Sequence, residues 1–173
     1  MHQMPSITSN SVTTLRARLV AMRRLLERAF SPETGRHSRV DVLPSFGHCA
    51  AVAALVFEKL GGSLVSTNVD GYSHWFNRLP VGNRLVDIDL TGDQFGRKTV
   101  QIAKAGQLYD GTKTRAFTEL DEETLARARL LLNRAEKALL TSKGDAKLPI
   151  PRSKKAQMTA TSSRREYRSR SVG

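Results

Sequence analysis

One apolar segment, residues 44–60 (PSFGHCAAVAALVFEKL), constrains the fold of this chain more than any other. After Gly47 and His48 its apolar residues recur at helical spacing, and two glycines follow it. The pattern predicts a buried helix that begins at Cys49 and ends at Gly61 and Gly62.

Cys49 is the only cysteine of the 173 residues, and its place at a helix start has chemical consequences. Unpaired backbone N–H groups and the positive end of the helix dipole favour a thiolate there. A backbone amide at the same place can stabilise an oxyanion. The alternative is that Cys49 is a small buried apolar residue of the core.

Length and composition indicate one domain with tails. A chain of 173 residues with 39% hydrophobic residues can bury a core. A single cysteine excludes an internal disulfide framework and a cysteine-rich zinc site, which favours a reducing compartment. We find no signal segment and no apolar run of membrane-spanning length, so we expect a cytoplasmic protein, with export as an effector without a cleaved signal left open.

The net charge of +12 is unevenly distributed. Residues 141–173 hold nine Lys and Arg against two Asp and Glu, so over half of the excess, +7, lies there. This segment also contains two prolines and little periodic apolar content. We therefore predict a flexible N-terminus over residues 1–11, a single domain over 12–140, and a disordered basic tail over 141–173, with possible weak binding of nucleic acid or anionic surfaces by the tail.

The remaining pattern predicts an α+β domain in which N-terminal and C-terminal helices pack with a small antiparallel sheet. An amphipathic helix from Val12 to about Phe30 carries arginines on its polar face, and an acidic start at 118–123 opens another helix that ends near Leu140. Strands are predicted at 63–69, 72–79, 84–90 and, shorter, at 99–103.

The second and third predicted strands form a hairpin that brings a histidine and two aspartates to one face. If residues 80–83 are its loop, Asp89 lies opposite His74, and Asp87 lies opposite Phe76. A one-residue change of register would move the aspartates to the other face.

Cys49, His74 and Asp89 are therefore the parts of a Cys-His-Asp triad. Cysteine attacks an acyl carbon, histidine holds the thiol as thiolate and later protonates the leaving group, and the aspartate fixes the histidine tautomer. The same three residues could in principle hold a metal, but no second histidine or cysteine accompanies them. We expect neither a metal nor a cofactor.

The quoted motifs resemble the YunG-like group of small bacterial and phage proteins, within the wider papain-like and transglutaminase-like cysteine-enzyme fold. The resemblance covers residues 44–96 and rests on four motifs: Gly47-His48-Cys49, Gly61-Gly62, His74-Trp75-Phe76-Asn77, and residues 89–95 (DLTGDQF). It implies a papain-like core with Cys49 as nucleophile, His74 as general base and Asp89 as the orienting carboxylate.

Five further residues are candidates for supporting roles. Asp87 is the alternative carboxylate, and Asn77 and Gln94 are expected to line the cleft. Papain-like proteases place a glutamine about six residues before the cysteine, but Leu43 stands there. Ser45 and His48 are the polar side chains nearby, and His48 is expected in a loop or at the surface.

Two functions follow. The first is a cysteine hydrolase or acyltransferase (a peptidase, amidase or glutamine deamidase) acting on a protein, peptide or amide substrate through a thioester. The second is a non-enzymatic module in which the triad is vestigial and the arginine-rich helix and basic tail bind nucleic acid or another acidic partner.

Overall fold

Three α-helices and a five-stranded antiparallel sheet make up the described part of the chain, residues 11–36 and 43–145 with side chains to residue 142, in a computed structural model. The predicted α+β class is confirmed. The helices are α1 (Val12–Glu27), α2 (Cys49–Leu60) and α3 (Glu122–Asp145). The strands are β1 (Ser63–Val69), β2 (Tyr72–Val81), β3 (Arg84–Asp89), β4 (Gln101–Lys104) and β5 (Lys113–Arg115), and short 3₁₀ helices span Gly92–Phe95 and Phe117–Glu119.

Helix α2 lies at the centre of the fold. All six residues of 51–56 are buried, because α2 packs on the sheet through β2 and is covered by α3. Asn77 of β2 donates a hydrogen bond of 2.9 Å from Nδ2 to the carbonyl of Ala53. Asn77 therefore joins the sheet to α2 and does not line the cleft, contrary to the prediction.

Helix α1 begins one residue after Ser11, whose Oγ accepts the backbone N–H of Thr14 and caps the helix. The predicted flexible terminus is therefore too long at Ser11, and residues 1–10 lie outside the described residues. Arg23 does not lie on the solvated face, because it is buried against the sheet end. The other arginines of the helix are exposed: Arg16, Arg18, Arg24 and Arg28.

The sheet has the order β4-β3-β2-β1-β5, and all neighbouring strands are antiparallel. One face carries apolar residues that join the helices in the main core, among them Leu64, Leu79 and Ile88. The opposite face carries a smaller buried cluster of Val65, Phe76 and Tyr109. Tyr109 belongs to the segment between β4 and β5, which therefore covers this second face.

The hairpin register differs from the prediction by two residues. Val81 pairs with Arg84, so the loop is Gly82-Asn83 and not residues 80–83. Pro80 is accommodated within β2 because the first residue of β1, Ser63, pairs with Arg78, so that one edge of β2 is unpaired beyond that point. A shift of two residues preserves the sheet face of every side chain, so His74 and Asp89 still share one face.

The C-terminal part departs further from the pattern. Strand β4 is close to the predicted short strand, whereas β5 has three residues and was not predicted. Helix α3 continues through residues 141–145, so the predicted boundary at 140 is too early. The rest of the predicted tail, residues 146–173, lies outside the described residues. No helix in the described ranges is long and apolar enough to cross a membrane.

The packing of α3 predicts a sharp contrast between two of its leucines. Leu131 is fully buried, whereas Leu140 is 70% exposed. Leu131→Ala should lower the free energy of unfolding by about 2–5 kcal/mol, because it opens a cavity in the core. Leu140→Ala should change it by less than about 0.5 kcal/mol. Urea unfolding measures both, and equal losses would contradict the packing of α3 on α2.

Candidate active site

Cys49 opens onto a cleft of about 710 Å³ at the start of α2. The side chain is partly exposed, so Cys49 is not simply a buried core residue. Aromatic rings form much of the wall, and Phe46 meets Tyr72 edge-on with their ring centroids 6.1 Å apart. Further lining residues are Trp75, Gln94, Phe95, Thr124, Arg36 and Arg127.

The start of α2 is fixed by His48. Its Nδ1 lies 3.0 Å from the carbonyl oxygen of Phe46, and its Nε2 lies 2.9 Å from Thr34 Oγ1. The ring also packs on Phe30, with the centroids 4.4 Å apart. Burial lowers the pKa of His48, so the ring is neutral near pH 7. His48 is thus a buried anchor and not a surface residue.

Gly47 sets the path of the chain into the helix. Its φ is +77°, and its carbonyl accepts the backbone N–H of Arg36 at 2.8 Å. A Cβ at this position would overlap the carbonyl oxygen of Arg36. The side chain of His48, the N-cap residue of α2, does not cap the first N–H groups of the helix. The first three residues of the helix, Cys49, Ala50 and Ala51, line the cleft, so their N–H groups are the donors nearest to it.

His74 and Asp89 form a buried pair behind the cleft. His74 Nε2 lies 2.9 Å from Asp89 Oδ2, and both side chains are almost completely buried. Asp89 accepts three more hydrogen bonds: its Oδ1 accepts the N–H of Thr91 at 2.8 Å and the hydroxyl at 3.1 Å, and its Oδ2 accepts the Tyr109 hydroxyl at 2.6 Å. The carboxylate is therefore held in one orientation.

The electrostatics of this pair favour an imidazolium beside a carboxylate. Burial lowers the pKa of His74, but the hydrogen bonds and charges of Asp89 and Cys49 outweigh burial and raise it to about 9. Burial likewise raises the pKa of Asp89, whereas the hydrogen bond and charge of His74, with Tyr109 and Thr91, bring it below the ordinary value. Burial and the neighbouring carboxylate raise the pKa of Tyr109, which keeps its hydroxyl proton.

The other ring nitrogen of His74 lies beside Gln94, which lines the cleft. Gln94 Nε2 lies 3.2 Å from His74 Nδ1. The sulfur of Cys49 points toward the carbonyl oxygen of Ser73, at 3.9 Å, and the Cys49 side chain contributes to the raised pKa of His74. Gln94 and Cys49 therefore compete for Nδ1, the ring nitrogen that Asp89 does not occupy.

Of the other predicted site residues, Asp87 and Ser45 do not line the cleft, whereas Gln94 does. Asp87 pairs with Arg78 at 2.6 Å and accepts the backbone N–H of Gly106 at 2.6 Å. Its carboxylate binds these partners and not His74, so Asp87 does not take the place of Asp89. Ser45 is buried, its Oγ has no hydrogen-bond partner among the described residues, and it does not line the cleft. Gln94 lines the cleft as predicted.

Two residues near Asp89 were missed by sequence reasoning. Tyr109 lies in a segment without periodic pattern, and no local signal indicates that its hydroxyl reaches Asp89. Gly92 has no room for a side chain, since a Cβ there would lie 3.0 Å from Asp89 Oδ2 and would overlap the Gln101 amide. Its position within the DLTGDQF motif was the available signal.

No group of three His, Cys, Asp or Glu side chains suited to a metal ion occurs among residues 11–36 and 43–142.

A family profile described as YunG protein matches residues 18–139 of the chain. Because this match covers well over half of the sequence, the chain belongs to the YunG family. Comparisons with curated proteins and with solved structures found no match.

The His74–Asp89 pair predicts how stability depends on pH. The pKa of His74 is about 9 in the folded protein against 6.5 ordinarily, so folding strengthens proton binding. This stabilisation is fully present below about pH 6.5 and is lost as the pH rises through about 9. It amounts to roughly 3 kcal/mol in the free energy of unfolding, measurable by urea unfolding between about pH 6 and 10.

Two aspartate variants of the same strand provide the control. Asp89→Asn removes the partner of His74 and should flatten the pH dependence across this range. Asp87→Asn changes the contacts with Arg78 and the Gly106 N–H but none with His74, and it should leave the slope as in the wild type. Equal slopes in all three proteins would show that His74 does not titrate as part of this pair.

Proposed function

We propose that this member of the YunG family is a cysteine hydrolase or acyltransferase with Cys49 as nucleophile, His74 as general acid and base, and Asp89 as the orienting carboxylate. One observation carries the proposal: the buried Asp89 binds Nε2 of His74, which leaves Nδ1 beside Gln94, a residue that lines the cleft onto which Cys49 opens. A histidine with a purely structural role would not need its second nitrogen near a thiol and a cleft.

The chemistry follows from these positions. His74 Nδ1 takes the proton of Cys49, and the sulfur attacks an acyl carbon to form a tetrahedral oxyanion. The N–H groups at the start of α2 are suited to bind that oxyanion. The imidazolium then protonates the leaving amine, and a thioester remains on Cys49. Water or another nucleophile gives its proton to His74 and attacks the thioester, which releases the acid or the transferred product.

We further propose that the domain is a papain-like or transglutaminase-like core. The support is the chain order and placement: a cysteine at the start of the central helix, a histidine on β2, and an aspartate at the end of β3. The cleft suits a protein, peptide or amide substrate that carries an apolar group, because the aromatic rings of Phe46, Tyr72 and Trp75 line its wall and can pack against that group. Peptidase, amidase and glutamine deamidase activities all fit this class.

The arginine face of α1 favours a second candidate function, binding of nucleic acid or another acidic partner. Three exposed arginines lie on this helix and one caps its end: Arg16, Arg18, Arg24 and Arg28. Arg23 does not contribute, because its guanidinium is bonded to Asp93. This function needs neither Cys49 nor His74, so a Cys49→Ser variant would retain it and lose the chemistry of the first.

Alkylation by iodoacetamide tests the proposed nucleophile. The single cysteine makes the labelling site unambiguous. His74→Ala should slow alkylation at pH 7 by about tenfold or more, because the imidazole no longer holds the thiolate. Mass spectrometry of the intact protein gives the rate.

Asp89→Asn should also slow alkylation, since Nε2 of His74 loses its carboxylate partner. Asp87→Asn is the matched control and should react like the wild type. Alkylation that is equally fast in the wild type and in His74→Ala would remove the basis for Cys49 as an activated nucleophile.

A further inference from the structure

We propose that the side-chain amide of Gln94 is a hydrogen-bond donor to the oxyanion, acting together with the N–H groups at the start of α2. The inference rests on the proposed function and adds a catalytic residue to it. The donor expected six residues before the cysteine is absent, because Leu43 stands there and carries no donor. Gln94 comes from the opposite side of the cleft, in the 3₁₀ helix after β3.

The position of Gln94 is on the reacting side of His74. Its Nε2 lies 3.2 Å from Nδ1, the ring nitrogen that Asp89 leaves free. Cys49 and Gln94 both line the cleft. An acyl carbon attacked by the sulfur must lie about 3–3.5 Å from it with its leaving group near Nδ1. A side-chain amide that reaches Nδ1 is therefore within a rotamer change of the carbonyl oxygen on that carbon.

Protonation of His74 supplies the reason for that change. Nδ1 accepts the N–H of Gln94 only while the ring is neutral. The hydrogen bonds and charges of Asp89 and Cys49 favour the protonated ring, in which Nδ1 is a donor and the two N–H groups face each other. The amide of Gln94 must then find a new acceptor. The oxyanion forms in the same reaction, carries the negative charge and lies in the same cleft.

The segment that carries Gln94 is held firmly, as an oxyanion donor requires. Asp93 receives two hydrogen bonds from the buried Arg23, at 2.8 and 3.0 Å. Arg23 also donates to the carbonyl of Leu90 at 2.5 Å, so both ends of the turn into the 3₁₀ helix are tied to α1. Phe95 packs edge-on against the His74 ring, with the centroids 4.9 Å apart.

Two reactions of Cys49 separate an oxyanion donor from a residue that only positions His74. Acylation by p-nitrophenyl acetate passes through a tetrahedral oxyanion and releases p-nitrophenolate. Alkylation by iodoacetamide displaces iodide from a saturated carbon and forms no oxyanion. Gln94→Ala should slow acylation by about 10²–10³-fold, the cost of removing one oxyanion donor. The same variant should be alkylated as fast as the wild type or faster, since Nδ1 is freed for Cys49.

Gln94→Glu provides a second variant of nearly the same shape, without the donor. It should also lose acylation and keep alkylation, because a carboxylate repels the oxyanion but tolerates the imidazolium. Gln107→Ala, the same substitution at an exposed turn, should leave both rates unchanged.

Each result has a distinct meaning. Loss of acylation alone in both Gln94 variants supports the oxyanion role. Acylation that survives in them, or acylation and alkylation that fall together, overturns it and leaves the Cys49 nucleophile standing. Acylation of the wild type no faster than that of Cys49→Ser overturns the proposed function itself, and the role of Gln94 with it.

Discussion

The hydrogen-bonded pair of His74 and Asp89 is the interaction on which the rest of this structure depends. Two ionisable groups are removed from water at a cost of several kcal/mol each, and mutual attraction offsets this cost only with good geometry and satisfied oxygens. Thr91 and Tyr109 donate the hydrogen bonds that the carboxylate oxygens of Asp89 require. Tyr109 reaches Asp89 because the segment between β4 and β5 folds over the second face of the sheet. The strands thus have a polar pair on one face and the helical core on the other.

Local patterns predicted the elements that hold this pair. The bounds of β1 and the start of α2 followed from the glycine pair and the apolar run, because neither depends on distant residues. The hairpin register did not follow, because the pattern placed Pro80 in the loop, whereas a proline is tolerated in β2 only because β1 begins opposite Arg78. The predicted face of His74 and Asp89 was nevertheless correct, because a shift by two residues preserves alternation.

The sequence predicted which residues belong to the candidate site, but only some of the contacts that they make. Cys49 and Gln94 line the cleft, and the buried pair of His74 and Asp89 lies behind Gln94. The roles of other polar residues were predicted wrongly or not at all, because each depends on a hydrogen-bond partner that is distant in the sequence. These partners are the helix α2 for Asn77, Arg78 for Asp87, Thr34 for His48 and Asp93 for Arg23. A buried polar side chain requires a partner, but sequence spacing does not name it.

We propose that Cys49 forms a thioester whose formation and hydrolysis both depend on His74. Time-resolved mass spectrometry of the protein mixed with p-nitrophenyl acetate tests this proposal directly. In the wild type, one acetyl group should appear on Cys49 and then be released as acetate. In His74→Ala the acetyl group should form slowly and persist, because no base activates the water. Acetylation of lysines with Cys49 unmodified, or equal decay in both proteins, would contradict the role of Cys49 and His74.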